Sequence, residues 1–501
     1  MKSKKNITVV ILLVIGTILL VNYLTTRFFL RLDFTEDSRY TLSNATKNIL
    51  RELHEPVTVT AYFSGNLPPQ LDQVKRDFRD MLIEYSNYSK GMIVYEFVDP
   101  LKDDKMQSKA QQAGVTQMQV QVREKDQIKA QIAYMGAVIN YGEQKEALQS
   151  IQSATGLEYL LTSTLKKMVV KDKPLIGLIQ GHGEPNLGKL WQAKQFLDIL
   201  YQTELINLAD SSIQLKKYKT LAIIGPTDSI PLMQLAKLDQ FLESGGRIFV
   251  AINRAKADLK QNQVTTAVNT RLETWLSQKG IDVNSNLVID ENCARVGVQL
   301  QPGYYMPVSF PYFVKVSNFG KHPISSGLEG VYLQLTSSIT FSGDSSIKFT
   351  PILFSSEHTG TKPAEGYLDV MRKWSEADFP VSKLTLGAAV EGKFGKGKPS
   401  KMVIIGDADF PLSEDQQNQV NADNINLFVN SIDWLSDDTG LVQLRTQGAT
   451  ERPIKEMEDT KRAIIKYLNF LLPIILALAY GIFRFQRNRI VRLKRMEEGY
   501  V

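Results

Sequence analysis

A single cysteine, Cys293, stands in 501 residues. One thiol makes no intramolecular disulfide, no CxxC redox pair and no multi-cysteine metal site, so the fold must be held by its apolar core. Histidine is scarce too: His54, His182, His322 and His358 are all there is, which leaves few ligands for a metal centre. No GxSxG stretch occurs, so the strand–turn–helix elbow that exposes a serine nucleophile is missing. Cys293 sits in no such elbow either. Long uncharged runs are few, and the slightly negative mean hydropathy excludes a many-span transporter. With 43% hydrophobic and 22% charged residues, the chain is neither fibrous nor disordered.

Two uncharged runs do stand out, one near each end. Residues 7–24 (ITVVILLVIGTILLVNYL) follow Lys2, Lys4 and Lys5. Residues 467–483 (YLNFLLPIILALAYGIF) precede Arg484, Arg487, Arg489, Arg492, Lys494 and Arg495. Each run is near the length that crosses a bilayer core. The first is longer than a signal-peptide core and lacks a small-x-small cleavage site, so it is read as an uncleaved anchor. Pro473 is tolerated inside a membrane helix. Basic clusters stay on the cytoplasmic side, so both termini are expected in the cytoplasm of a bacterium, with residues 25–466 beyond the inner membrane. This topology accounts for the charge. Of the formal net +6, residues 1–6 supply +3 and 484–501 supply +4, leaving the region between near −1. The basic balance is a membrane signal, and no nucleic-acid partner is expected.

Between the spans the pattern is α/β. After a cytoplasmic stretch (1–6), a span (7–24) and a juxtamembrane segment (25–56), residues 57–150 alternate strand and helix. VTVTAYFS (57–64) and MIVYEFVDP (92–100) are rich in β-branched and aromatic residues. Between them Leu71, Val74, Phe78, Met81, Leu82 and Tyr85 recur at helical spacing. Two later strands, QMQVQVRE and AYMGAVINYGEQ, suggest a hairpin. The β–α–β–α–β–β order looks thioredoxin-like, without redox cysteines. A connecting helix (151–170) leads to an α/β domain, 171–446, whose short apolar strands PLIGLIQ, TLAIIGP, RIFVAI and MVIIGDADF indicate a parallel sheet covered on both faces. A strand-rich insertion falls around 294–400, and a linker (447–466) precedes the second span (467–483) and the basic tail (484–501).

Four motifs invite chemistry. Gly181-His182-Gly183-Glu184 lies between an expected parallel strand and a helix, where open α/β sheets bind ligands. His182 and Glu184 would suit an acid/base pair or two metal ligands. A structural reading instead gives both glycines to a tight turn and sets Glu184 against the N-terminus of the next helix. Asp407 and Asp409 in GDADF could hold a divalent cation or cap a turn. The stretch Gly392–Pro399 (GKFGKGKP) nearly matches a phosphate loop. Pro399 replaces the metal-binding hydroxyl and a strand follows, so a basic hairpin loop is expected. The aromatic group Tyr304, Tyr305, Phe310, Tyr312 and Phe313 fits a partner surface or a packed loop equally well.

Seven segments taken together are more specific than any motif: LDFTEDSRYTLS (32–43), VTVTAYFSGNLPPQL (57–71), QGHGEP (180–185), IIGPTDSIP (223–231), LDQFLESGGRIFVAIN (238–253), VIIGDADF (403–410) and NINLFVNSIDWL (424–435). In this order they resemble the gliding-motility, GldG-type members of the ABC-transporter auxiliary family. The resemblance spans nearly the whole chain. It implies a GldF-like permease and a GldA-like cytoplasmic ATPase as partners. It also implies a glutamine-amidotransferase-like middle domain lacking the catalytic cysteine, and no cofactor. The expected function is a non-catalytic, membrane-anchored subunit of an ABC-type complex linked to gliding motility or secretion, whose periplasmic domains bind a partner or substrate. An envelope hydrolase or metal-dependent enzyme using His182 and Glu184 stays open, as does a purely structural scaffold.

Overall fold

The computed structural model describes residues 13–14, 16–17, 41–124, 127–154, 156–169, 173–258, 264–301, 304–413, 419–436 and 459–498. They fall into two compact units, 1–450 and 451–501.

Helix α1 (Asn44–Arg51) opens the first unit, with the Ser43 hydroxyl accepting the Thr46 N–H at 3.1 Å. This is the side-chain cap that serine supplies at a helix start. Strand β1 (Val57–Phe63) pairs in parallel with β2 (Ile93–Val98), and helix α2 (Pro69–Tyr88) crosses between them. Its Val74, Phe78, Leu82 and Tyr85 are buried along one stripe. Helix α3 (Asp104–Gln112) then leads to β3 (Gln117–Glu124), β4 (Gln127–Tyr141) and β5 (Gln144–Leu148). The expected hairpin is thus a three-strand meander. Long β4 pairs with β3 through its first half and with β1 and β5 through its second.

Helix α4 (Leu157–Val169) is more than a connection. Leu161 and Leu165 belong to one apolar cluster that runs from Ile49 and Phe78 to Leu197 and Phe428. Polar groups tie the same junction. Glu158 on α4 accepts the Ser43 N–H at 2.8 Å and the Thr46 hydroxyl at 2.5 Å, while Thr162 meets the Tyr85 hydroxyl at 2.6 Å.

The main sheet has eight strands. Five are parallel: β6 (Leu175–Gln180), β7 (Gln202–Asn207), β8 (Tyr218–Ile224), β9 (Arg247–Ala251) and Ser400–Ile405. Side chains alternate between the faces. Leu178, Ala222, Phe249 and Val403 pack toward α5 (Trp191–Leu200) and the helix Ala422–Ser436. Ile179, Leu221, Ile248 and Ile404 pack toward α6 (Leu232–Glu243) and α7 (Leu272–Ser277). Burial on both faces explains the continuous apolar runs.

The wholly parallel expectation is corrected at one edge. Ile347–Phe354 and Thr385–Gly392, read as part of an insertion, are antiparallel members of this sheet, with Asn318–Phe319 beyond them. The remaining strands of the region fall into separate small sheets, one of which holds the hairpin β10 (Cys293–Gln301) and β11 (Tyr304–Val316). Phe310 and Tyr312 are buried there near Trp374, whereas Tyr305 is exposed. Most of the aromatic group is therefore packed core.

Among the described residues, the second unit is a single helix, Asp459–Glu498, with Pro473 inside it. Residues 461–493 of it form a stretch long and apolar enough to cross a membrane, and none of that apolar window is buried. A core helix would hide such side chains. The first expected span, 7–24, lies outside the described residues except for Leu13, Val14, Gly16 and Thr17, whose backbone is helical.

Candidate functional site

The carboxyl ends of β6, β8, β9 and Ser400–Ile405 line up along one edge of the sheet, where open α/β folds bind ligands. Both sequence motifs arrive at this edge, separated by β8 and β9.

After β6, Gly181 (φ +116°) and Gly183 (φ +81°) turn the chain through conformations that side chains disfavour. A Cβ on Gly183 would lie 2.0 Å from the Thr227 hydroxyl oxygen. The turn is closed by its own carboxylate. Glu184 accepts the His182 backbone N–H at 2.7 Å through Oε2, and its Oε1 lies 3.1 Å from the ring Nδ1. The other ring nitrogen, Nε2, meets Gln234 Oε1 at 2.7 Å, at the start of α6. The His182 carbonyl accepts N–H groups from Thr227 and Asp228 in the loop after β8.

His182 is 4% exposed and the Glu184 side chain 1%. Both rings of contact face protein. Glu184 therefore does not serve a helix N-terminus as expected. That place belongs to Asn186, whose side chain accepts the Lys189 N–H.

Asp407 and Asp409 also turn inward and outward in different ways. Asp407 is wholly buried and accepts the backbone N–H of Gln334 and of Asp409, each at 2.7 Å. Burial, reinforced by the neighbouring Asp409 charge, pushes its carboxyl well above the usual range, and the backbone donors pull the other way. Asp409 is exposed and accepts from Asn253 Nδ2 at 2.9 Å. Asn253 also accepts the Ala408 N–H at 2.7 Å, stapling the end of β9 to the GDADF turn. A Cβ on Gly225 would come 3.1 Å from Ala408 Cβ. The loop after β8 thus touches both motifs, Gly183 through Thr227 and Ala408 through Gly225.

Among the described residues no group of three or more His, Cys, Asp or Glu is placed to hold a metal. The GKFGKGKP stretch joins Thr385–Gly392 to Ser400–Ile405 as a hairpin. It wraps the end of α6, where the Lys398 N–H donates to the Glu243 carbonyl at 2.8 Å. That is the opposite end of the strands from the GHGE turn. Cys293 begins β10, and burial pushes its thiol up, away from the reactive thiolate.

Sequence reading missed Thr227, Gln234 and Asn253. Each sits at a strand or helix end in an ordinary local context, and its partner lies far away in the chain.

Residues 173–435 match the family described as "ABC-type uncharacterized transport system", and residues 36–140 match a domain of unknown function, DUF7088. A protein of Borreliella burgdorferi described as "Uncharacterized protein" is 23% identical over 98% of this chain and 99% of its own. Among solved structures, the mmIFT52 N-terminal domain is similar at a TM-score of 0.35 and 13% identity, over 52% of this chain and 97% of its own. A glutamine amidotransferase of Thermotoga maritima is similar at 0.26 and 9%, over 57% of this chain and all of its own (100%).

Proposed function

Because the chain belongs to the family of ABC-type uncharacterized transport systems, we propose that it is a non-catalytic, membrane-anchored auxiliary subunit of such a transporter. The observation that carries this beyond the family is the C-terminal helix. None of its apolar window is buried, and within the helix Arg484, Arg487, Arg489 and Arg492 follow the uncharged stretch 467–483. Such a helix needs lipid or another membrane helix as its surroundings.

In this reading a second span, 7–24, anchors the other end, and the basic flanks keep both termini cytoplasmic. The region between faces the periplasm and receives a partner or substrate. A GldF-like permease and a GldA-like ATPase complete the complex, with gliding motility or secretion as its setting. The strand order β2-β1-β4-β5 supports a thioredoxin-type scaffold for residues 57–150, in which no cysteine stands. The parallel strands with helices on both faces support an amidotransferase-like middle domain.

Burial supports the non-catalytic part. A general acid or base must reach a substrate proton. His182 and Glu184 spend their polar atoms on each other, on Gln234 and on the turn backbone.

The test is purification of the intact protein from membranes in mild detergent, with co-purifying chains identified by mass spectrometry. A permease and a nucleotide-binding ATPase are expected. A chain that leaves the membrane in carbonate and purifies alone rejects the reading.

A further inference from the structure

The GKFGKGKP loop is no phosphate loop, yet it forms one wall of a cavity. At the amino end of the parallel strands, a cavity of about 740 Å³ opens between the last turns of α6, the turn after α7, the turn before Ile347 and this loop. That volume lies in the range of small-molecule sites. Its walls are mostly polar, which suits a polar ligand able to return their hydrogen bonds.

The loop is built to hold its wall in place. Phe394 is buried among the apolar residues under α6. Beside it, Gly395 (φ +96°) passes so close to α6 that a Cβ there would lie 2.4 Å from Glu243 Oε1. A Cβ on Gly397 would lie 2.1 Å from the Glu243 carbonyl oxygen. Two glycines of the motif are therefore needed for close approach to the helix end.

Most charges in the walls are already committed. Asp239 Oδ1 accepts from Lys279 Nζ at 2.7 Å and from Trp275 Nε1 at 2.9 Å, and Lys279 lies over the Trp275 ring at 4.1 Å. Asp344 accepts the Ser346 N–H at 2.7 Å, closing its own turn. Glu243 and Lys393 differ. Both line the cavity, and among the described residues neither side chain has a hydrogen bond or ion pair, with the other or with a third group. Glu243 also ends α6, where the helix dipole disfavours a carboxylate and a cation beside it gives relief.

We propose that this cavity binds a small zwitterion of the amino-acid or short-peptide class, its ammonium on Glu243 and its carboxylate on Lys393. Such a ligand carries both charges on one molecule and answers two opposite charges that share a cavity without pairing. This deepens the substrate-receiving part of the proposed function and rests on that reading only for the origin of the ligand. Co-purification of a permease tests that reading separately.

The test is isothermal titration of the full-length protein in mild detergent with alanine, dialanine and trialanine at fixed ionic strength. The carboxyl-amidated and N-acetylated form of each, which lacks one charge, is run beside it. Saturable binding of at least one of the three is expected, and the tightest of them separates a free amino acid from a peptide. Either cap on the ligand, and either of Glu243→Gln and Lys393→Met, should weaken that binding about tenfold, the order for one lost charged hydrogen bond. No saturable binding of any of the three overturns the proposal, as does binding that either cap or either substitution leaves unchanged. Both side chains are exposed, so both variants should fold. Should one fail to fold, the capped ligands on the native protein decide by the same criterion.

Discussion

Glu184 receives both the backbone and the ring of a histidine two residues earlier, so the GHGE turn is locked from within. Gln234 and the Thr227–Asp228 backbone then fasten the lock to α6 and to the loop after β8. His182→Ala would leave a buried carboxylate with one donor fewer and the Gln234 amide oxygen unpaired. Its expected cost is roughly 2–4 kcal/mol of stability, the range for breaking a buried charged hydrogen-bond pair. Glu184→Gln keeps the shape and part of the bonding, and about 1 kcal/mol is expected. Thermal unfolding of the purified variants measures both, and membrane complexes assembled from whichever variant still folds should retain function. Variants as stable as the native chain that nonetheless abolish function in a null strain would move His182 and Glu184 into catalysis.

At the scale of elements, the terminal helix carries the clearest division of labour. Residues 467–483 make about 25 Å of uncharged helix at 1.5 Å per residue, a little short of a bilayer core. Ile464, Ile465 and Phe485 extend the apolar surface on either side. If the run 7–24 is a second anchor, removing residues 459–501 alone leaves the protein in the membrane fraction after carbonate washing. Removing residues 1–40 as well releases it. A chain that becomes soluble on losing only 459–501 has one anchor, and the two-span topology then fails.

At the scale of the whole molecule, one apolar cluster passes from α1 through α4 to the main sheet. The α/β layers of residues 41–436 should therefore unfold together in a single thermal transition. His322 adds a pH dependence. It packs edge-on against Trp434, with Nδ1 accepting the Ile324 N–H at 3.2 Å. Burial, followed by the charges of Glu391, Lys348 and Lys401, of which only Glu391 acts against it, lowers its pKa to about 4. A proton must land on Nδ1 and break that bond. The unfolded chain takes the proton first, so stability is full above the ordinary value near 6.5 and is lost as pH falls from about 6.5 to about 4. The slope is at most about 1.4 kcal/mol per pH unit, reduced by solvent screening at the partly exposed ring. His322→Asn, whose amide oxygen can replace Nδ1 as acceptor, should flatten this limb. Melting curves from pH 7 to 4 on both chains test it. Several separate transitions, or identical acid limbs, contradict it.

The sequence by itself determined what depends on local spacing and on composition. Strands buried on both faces read as unbroken apolar runs, helices as three- and four-residue stripes, and the C-terminal helix long enough to cross a membrane as uncharged length beside arginines. None of these needs knowledge of a distant partner. What only the tertiary structure decided is who meets whom. Ile347–Phe354 and Thr385–Gly392 look like any exposed strands until the sheet edge beside Ser400–Ile405 claims them. His182 and Glu184 look like a reactive pair until Gln234, 52 positions away, takes the other ring nitrogen. Arg254 carries no motif at all. It becomes conspicuous only when folding removes it from water and sets its Nη1 against the Val268 carbonyl and the Glu273 carboxylate, because desolvation is a property of the packed chain and not of its order of residues.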